Sequence, residues 1–188
     1  MPRIENIKVY GLENSIRVSK FPMLTHAGDA TGTVTQRVTS LANAKHGSGH
    51  DCFLKGIVFQ CDLTFSNKAW VEMERYHFCD IVSSQSTMHK IAAMDLDIAF
   101  NKFVTNETKT IVKDLQKKYL EDPTKENYLT LLYNTPSGLE LTAGITTNYL
   151  QLKTIYAQRR THRLPDWQMF CNEIEKLPMS ELITGEKK

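Results

Sequence analysis

The segment MERYHFCDIVSSQSTMH, from Met73 to His89, brings an arginine, a tyrosine, two histidines, an aspartate and a run of hydroxyl and amide side chains into one short stretch. Tyr76, Phe78, Ile81 and Val82 are threaded between them, a mixture that points to partial burial. Buried polar groups need partners, and a bound ligand is one way to supply them. Other positions able to do chemistry lie outside this stretch. His50 follows GSG and precedes an apolar run, where it reads as a turn residue or a ligand contact. AQRRTHR, from Ala157 to Arg163, reads as a phosphate-binding patch or as the solvated basic end of a helix favoured by the macrodipole. Asn148, Leu152, Ile155 and Arg159 are spaced 4, 3 and 4. At roughly 100° per residue, a helix there returns Arg159 to within about 20° of Asn148. An asparagine and an arginine would then share one face with two apolar residues.

Several chemistries are argued against. No serine sits in the glycine pattern of a nucleophile elbow, so a hydrolase triad is not expected. His77, Cys79 and His89 match no closed zinc site, and no metal is expected. THAGDATG, from Thr25 to Gly32, lacks the lysine and spacing of a phosphate-binding loop. Arg75 has Glu72 three residues before it, so an ion pair or a snorkelling side chain competes with a ligand contact.

The elements that must position these residues come from an ordinary globular chain of 188 residues, 41% hydrophobic and 23% charged. A formal net charge of +2 is too mild to mark a nucleic-acid partner. Four cysteines show no CxxC pair, no signal segment leads the chain, and no apolar run approaches the ~18 residues of a membrane helix. The expectation is a cytoplasmic protein with free thiols and no membrane insertion, one domain over residues 1–183 and a disordered tail over 184–188.

Two short β-like runs, Ile7 to Tyr10 and Ile16 to Val18, flank the turn-prone Gly11 and Asn14 and predict a small hairpin. Thr33 to Ala44 predicts a helix with Val34, Val38, Leu41 and Ala42 inward. Residues 53–65 alternate as a strand, with Phe53, Ile57, Phe59, Cys61, Leu63 and Phe65 on one face. Ser66 then caps a helix from Asn67 carrying Trp70, Met73 and His77 on one side. Residues 105–120 predict an amphipathic helix with Ile111, Leu115 and Tyr119 inward, ended by Pro123. A short helix reaches Tyr133, and a last one starts at Pro165 with Trp167, Phe170, Cys171 and Ile174 inward.

The order of these features resembles the flavin-dependent thymidylate synthases, over roughly residues 34–175. The family's Gly-His-Glu-Ser/Thr-Pro-Phe-Glu-His segment leads into a buried strand, and GHDCFLKGIVF stands here from Gly49 to Phe59. Its helix with Arg-Gln-Trp-x-Arg-His-Arg and the serine-containing loop after it are matched by VEMERYHF and CDIVSSQSTMH. Its Leu-Pro turn, threonine, asparagine and later arginine are matched by Pro136, Thr142, Asn148 and Arg159, and PDWQMF is similar to its last helix.

The resemblance implies an α+β fold, a twisted antiparallel sheet flanked by helices, assembling as a homotetramer with sites between subunits. It implies FAD as cofactor, NADPH and methylenetetrahydrofolate as co-substrates, and a pyrimidine deoxynucleotide, dUMP, as the acceptor of a methyl group. His50, Arg75, His77 and Asn148 match flavin-contacting positions, and Arg159 matches the arginine that holds the uracil ring and favours attack on it. Ser84, Gln85, Ser86 and Thr87 cover the segment that holds the nucleotide; gap-free matching sets Gln85 and Thr87 where the family has a serine and an arginine, and a one-residue shift recovers Ser86. Tyr76 and His77 replace the last two residues of Arg-His-Arg, Gly56 replaces a histidine, and Leu132 replaces a phosphate-holding arginine. Two lost arginines remove contacts on the order of 1.5–3 kcal/mol each. The alternative is therefore a non-catalytic homologue that binds a nucleotide without flavin chemistry.

Overall fold

A computed structural model describes residues 2–45 and 47–185. Its sheet has four strands, β1 (Arg3–Tyr10), β2 (Val58–Ser66), β3 (Asp80–Ser84) and β4 (Glu140–Asn148), in the order β1-β2-β4-β3 and antiparallel throughout. The central ladder pairs β2 with β4 from Val58 opposite Asn148 to Ser66 opposite Glu140. Around it lie α1 (Leu12–Val18), α2 (Gln36–Ala42), α3 (Asn67–Met73), α4 (Thr87–Lys90), α5 (Leu96–Ala99), α6 (Asn106–Glu121), α7 (Lys125–Tyr133), α8 (Tyr149–Arg159), α9 (Pro165–Ile174) and α10 (Glu181–Thr184). The α+β class expected from the sequence is the one observed. Thr184 closes α10, Gly185 follows it, and residues 186–188 of the expected tail lie outside the described residues.

Phe59, Cys61, Leu63 and Phe65 of β2 point into one core, and Trp167, Phe170, Cys171 and Ile174 of α9 close over it. Phe65 meets the Trp167 ring edge-on at 5.2 Å, the offset geometry that aromatic quadrupoles favour. Ser66 ends β2 and caps α3 by accepting from the Ala69 N–H, as its position predicts. A second core gathers Ile91, Leu96, Phe100, Val112, Leu131 and Leu139 beneath α4 to α7.

Four local expectations are corrected. Ile16 to Val18 lie in α1, and β1 pairs with β2 rather than forming a hairpin. Gly11 adopts a left-handed φ of 75° and turns the chain so that Ser15 and Ile16 are buried; packing there overrides the β preference of a branched run. The segment Cys52–Gly56 is a 3-10 turn, so Phe53 precedes the strand. On α6 it is Val112 that is buried while Ile111 is 57% exposed, because the second core lies on the Val112 side. His77 is off α3, which ends at Met73, and Tyr76 takes the inward place. The run LELTAGITTN, to which no element is assigned from sequence, forms β4, the partner of both β2 and β3.

Candidate functional site

Asn148 ends β4 and begins the site: its side-chain oxygen accepts from the Gln151 N–H at 3.0 Å and caps α8. Its amide N–H groups remain as donors. The helix then sets Gln151, Thr154, Gln158 and Arg159 along two adjoining clefts. One cleft, of about 490 Å³, has Gly47, Gly49, Asp51, Lys55 and Asn148 on its walls. The other, of about 360 Å³, has Arg75, Tyr76, His77, Gln158 and Arg159. Both share Phe78, Gln151 and Thr154. Phe78 is 70% exposed at this junction, and its carbonyl accepts from the Thr147 hydroxyl of β4 at 2.6 Å. An exposed aromatic ring held by its backbone is a ready platform for a planar ligand.

Arg159 is built into a network rather than left free in the cleft. Its Nη1 donates to Glu72 Oε2 at 2.7 Å and its Nε donates to the Tyr76 hydroxyl at 2.8 Å. The guanidinium lies 4.6 Å from the Trp167 ring centroid and 5.6 Å from that of Tyr76. Tyr76 in turn donates to Gln158 Oε1 at 2.9 Å. Glu72 is the hub: the Trp167 indole donates to it at 2.9 Å, Lys68 pairs at 3.2 Å and His162 lies at 3.4 Å. Burial works to raise the Glu72 carboxyl, but the Trp167 N–H, Lys68 and the charges on Arg159 and His162 outweigh it and hold the group below its ordinary value. The partner that sequence spacing offered to Arg75 therefore belongs to Arg159, while Arg75 is exposed on the cleft wall.

The fold thus brings Arg75, His77, Asn148 and Arg159 to one pair of clefts. His50 is exposed; its neighbours Gly49 and Asp51 form the cleft wall and its own side chain does not. Ser84 to Thr87 lie elsewhere in the chain. Ser84 pairs with Ala143, five residues from Asn148 along β4 and so about 17 Å from it. Gln85 accepts from the Thr142 N–H at 2.9 Å, and Ser86 shares a hydrogen bond with His89. Gln85 opens on a separate small cleft with Arg3, Thr64 and Glu140. In AQRRTHR, Arg159 and His162 turn to Glu72, Arg160 stacks on Tyr156, and Arg163 lines a further cleft beside Lys68.

The three buried thiols are poor candidates for nucleophilic or metal chemistry. Burial, with neighbouring negative groups, pushes Cys61 and Cys79 up to about 12 and Cys171 up to about 11. Among the described residues no group of three or more His, Cys, Asp or Glu side chains could hold a metal ion. Among them, too, no helix is long and apolar enough to cross a membrane.

Sequence reasoning missed Glu72, Tyr76, Phe78, Gln151 and Gln158 as parts of the site. A signal existed for some of them. Gln151, Thr154 and Gln158 recur at helical spacing on a face of α8 adjoining the one that carries Asn148 and Arg159. The Glu72 hub joins residues 87 apart and leaves no local pattern.

No family model matches the sequence, and no curated protein matches it either. Solved structures do match in shape. Thymidylate synthase X from Helicobacter pylori, with FAD and dUMP, superposes with a TM-score of 0.78 at 15% identity, over 99% of this chain and 98% of that one. A second structure of the Helicobacter pylori enzyme, also complexed with FAD and dUMP, gives 0.70 at 16% identity, over 98% of each chain. The UMP/dUMP methylase PolB from Streptomyces cacaoi, bound with 5-Br dUMP, gives 0.65 at 10% identity over 94% of this chain and 89% of that one. At such identities likeness speaks for architecture, and the chain has the fold of the flavin-dependent thymidylate synthases.

Proposed function

We propose that this protein binds FAD and a pyrimidine deoxynucleotide and carries out a flavin-dependent methylation of dUMP to dTMP, with NADPH and methylenetetrahydrofolate as co-substrates. The observation that carries the reading is the convergence of Arg75 and His77, after α3, with Asn148 and Arg159, at the two ends of α8, on two clefts joined at Phe78. The solved structures of similar fold that were determined with FAD and dUMP support it. The donor set fits a flavin nucleotide: a bare aromatic face at Phe78, cations at Lys55 and Arg75, and side-chain amides at Asn148 and Gln151. When bound, FAD supplies the two-electron redox chemistry that these residues cannot.

In this reading Phe78 stacks on a flat ring and Arg75 and His77 face negative charge at the cleft rim. Asn148 is fixed as a donor because its oxygen is spent on the helix cap. Arg159 offers the guanidinium N–H groups not used by Glu72 and Tyr76 to a uracil carbonyl, stabilising charge that builds on the ring. Its aromatic cage and ion pair hold it in place beforehand, so little reorganisation is required at the moment of reaction. Ser84 to Thr87 complete the nucleotide site from a neighbouring subunit of a homotetramer, which reconciles their distance from the clefts within one protomer.

The test is uptake of FAD by the purified protein, read as visible absorbance that co-elutes with it, followed by a dTMP assay in the complete mixture. FAD uptake weakened at least tenfold in Arg75→Ala supports the reading; a protein that takes up no FAD refutes it. Two observations favour the non-catalytic alternative: Gln85 and Thr87 stand without the arginine expected there, and two donors of Arg159 are committed internally. Nucleotide binding without FAD uptake or turnover would decide for it.

A further inference from the structure

Lys153 lies on α8 between Leu150 and Gln151 on one side and Thr154 on the other, all three of which form the floor of the larger cleft. Its own side chain turns away and is mostly buried, 17% exposed. Its ammonium group donates to the Ala42 carbonyl at 2.6 Å, the Ala44 carbonyl at 3.3 Å and Asp51 Oδ2 at 2.8 Å. An ammonium has three N–H groups, and all three are used. Ala42 ends α2 and Ala44 lies just beyond its cap, where carbonyls lack helical partners and a cation is favoured. Asp51, itself 3% exposed, opens the turn that follows.

Ala44 and Asp51 are therefore the two stems of a short connection, and one buried cation grips both. Gly47 and Gly49 lie on that connection with φ of 83° and 80°, and Gly47, Gly49 and Asp51 form the wall of the cleft facing Phe78 and Asn148. Glycine at positive φ leaves the chain with many alternative paths. A wall made of such residues keeps one shape only if its ends are fixed from outside.

We infer that Lys153 is a positioning residue: without touching ligand, it sets the shape of the glycine wall and so the affinity of the larger cleft. The inference rests on the reading of that cleft as the flavin site. A loop already held in its bound shape spares the ligand the cost of ordering it. Removing Lys153 alone also strands the Asp51 carboxylate, so Lys153→Met is expected to lose stability as well as affinity. The double variant Lys153→Met/Asp51→Asn removes both charges and separates the two effects.

The experiment measures hydrogen exchange and FAD binding in the wild type and in the double variant, full-length in each case. In the double variant the amides of residues 47–52 are expected to exchange faster while β2 and β4 are unchanged. FAD should bind about tenfold more weakly, the scale of one lost charge-assisted contact. A midpoint of unfolding close to that of the wild type would show that the loss is not general. Equal exchange in this segment, or equal FAD affinity, overturns the inference. A wild type that takes up no FAD overturns the flavin reading instead, and the exchange comparison still decides whether Lys153 orders the wall.

Discussion

Replacing Glu72 by glutamine tests the network that holds Arg159. The change keeps the shape of the side chain and removes its charge. Two strong bonds end on Oε2, from Arg159 at 2.7 Å and from Trp167 at 2.9 Å. A hydrogen bond to a charged group is worth about 1.5–3 kcal/mol against about 1 for a neutral one, so neutralising the acceptor forfeits about 2 kcal/mol over the pair. Turning an amide N–H toward cationic neighbours costs about 1 kcal/mol more. The Lys68 pair adds little, because that lysine is largely solvated. The expected total of about 3 kcal/mol lowers the thermal midpoint of a chain this size by about 6–12 °C. Urea unfolding at pH 7, with an unchanged slope, measures it directly.

The pH dependence adds a second arm. Glu72 is held below its ordinary value in the folded protein, so its contribution is fully present above the unfolded carboxylate pKa, about 4.3, and fades as pH falls through the lower folded value. Wild type and variant should therefore converge in stability as the pH is lowered from 7 toward about 3. A variant within about 0.5 kcal/mol of wild type at pH 7, the range of an ordinary surface change, would refute the account of Glu72 as a hub. So would a gap that does not shrink in acid.

Phe78→Ala removes an exposed ring and should leave the unfolding midpoint nearly unchanged. FAD affinity should fall by about three- to tenfold, the worth of one aromatic stacking contact, in a flavin fluorescence titration; an unchanged affinity would remove Phe78 from the site. Among the cysteines only Cys52 is exposed, while burial pushes Cys61 and Cys79 up to about 12. A thiol reagent at pH 8 should therefore modify one cysteine in the native protein and all four after denaturation. Rapid native labelling of Cys61 or Cys79 would show that the core over β2 opens readily.

What was legible from sequence was what depends on neighbours in the chain. Ser66 followed by an apolar helix face announces its own cap, and alternation through Phe59, Cys61, Leu63 and Phe65 announces a strand buried on one side. Pro165 with Trp167, Phe170 and Ile174 announces an inward helix face. β4 was hidden because Gly144, three threonines and an alanine dilute its alternation, although it pairs along both edges. Ile16 to Val18 misled in the opposite direction, since a branched run prefers a strand until Gly11 turns it into the core. At the site, the shared face of Asn148 and Arg159 followed from helical spacing alone. The Glu72 hub and the Lys153 tie could not be read that way, because each joins residues about a hundred positions apart and only the folded chain makes them neighbours.

The strand order also constrains how the molecule assembles itself. β1 and β2 pair early in the chain, but the other edge of β2 stays open until β4 arrives, and Val58 must find Asn148 across ninety residues. Closing so long a segment is entropically slow, and it places the formation of the sheet late. The helices from α4 to α7 lie wholly inside that segment and share a core of their own, so they can collapse locally first. On a growing chain this leaves the apolar strand VFQCDLTFS exposed along one edge while its partner is still being made. That interval is when the protein is most open to aggregation and to holdase chaperones. It ends when β4 docks, and the same event creates Asn148's corner of the cleft.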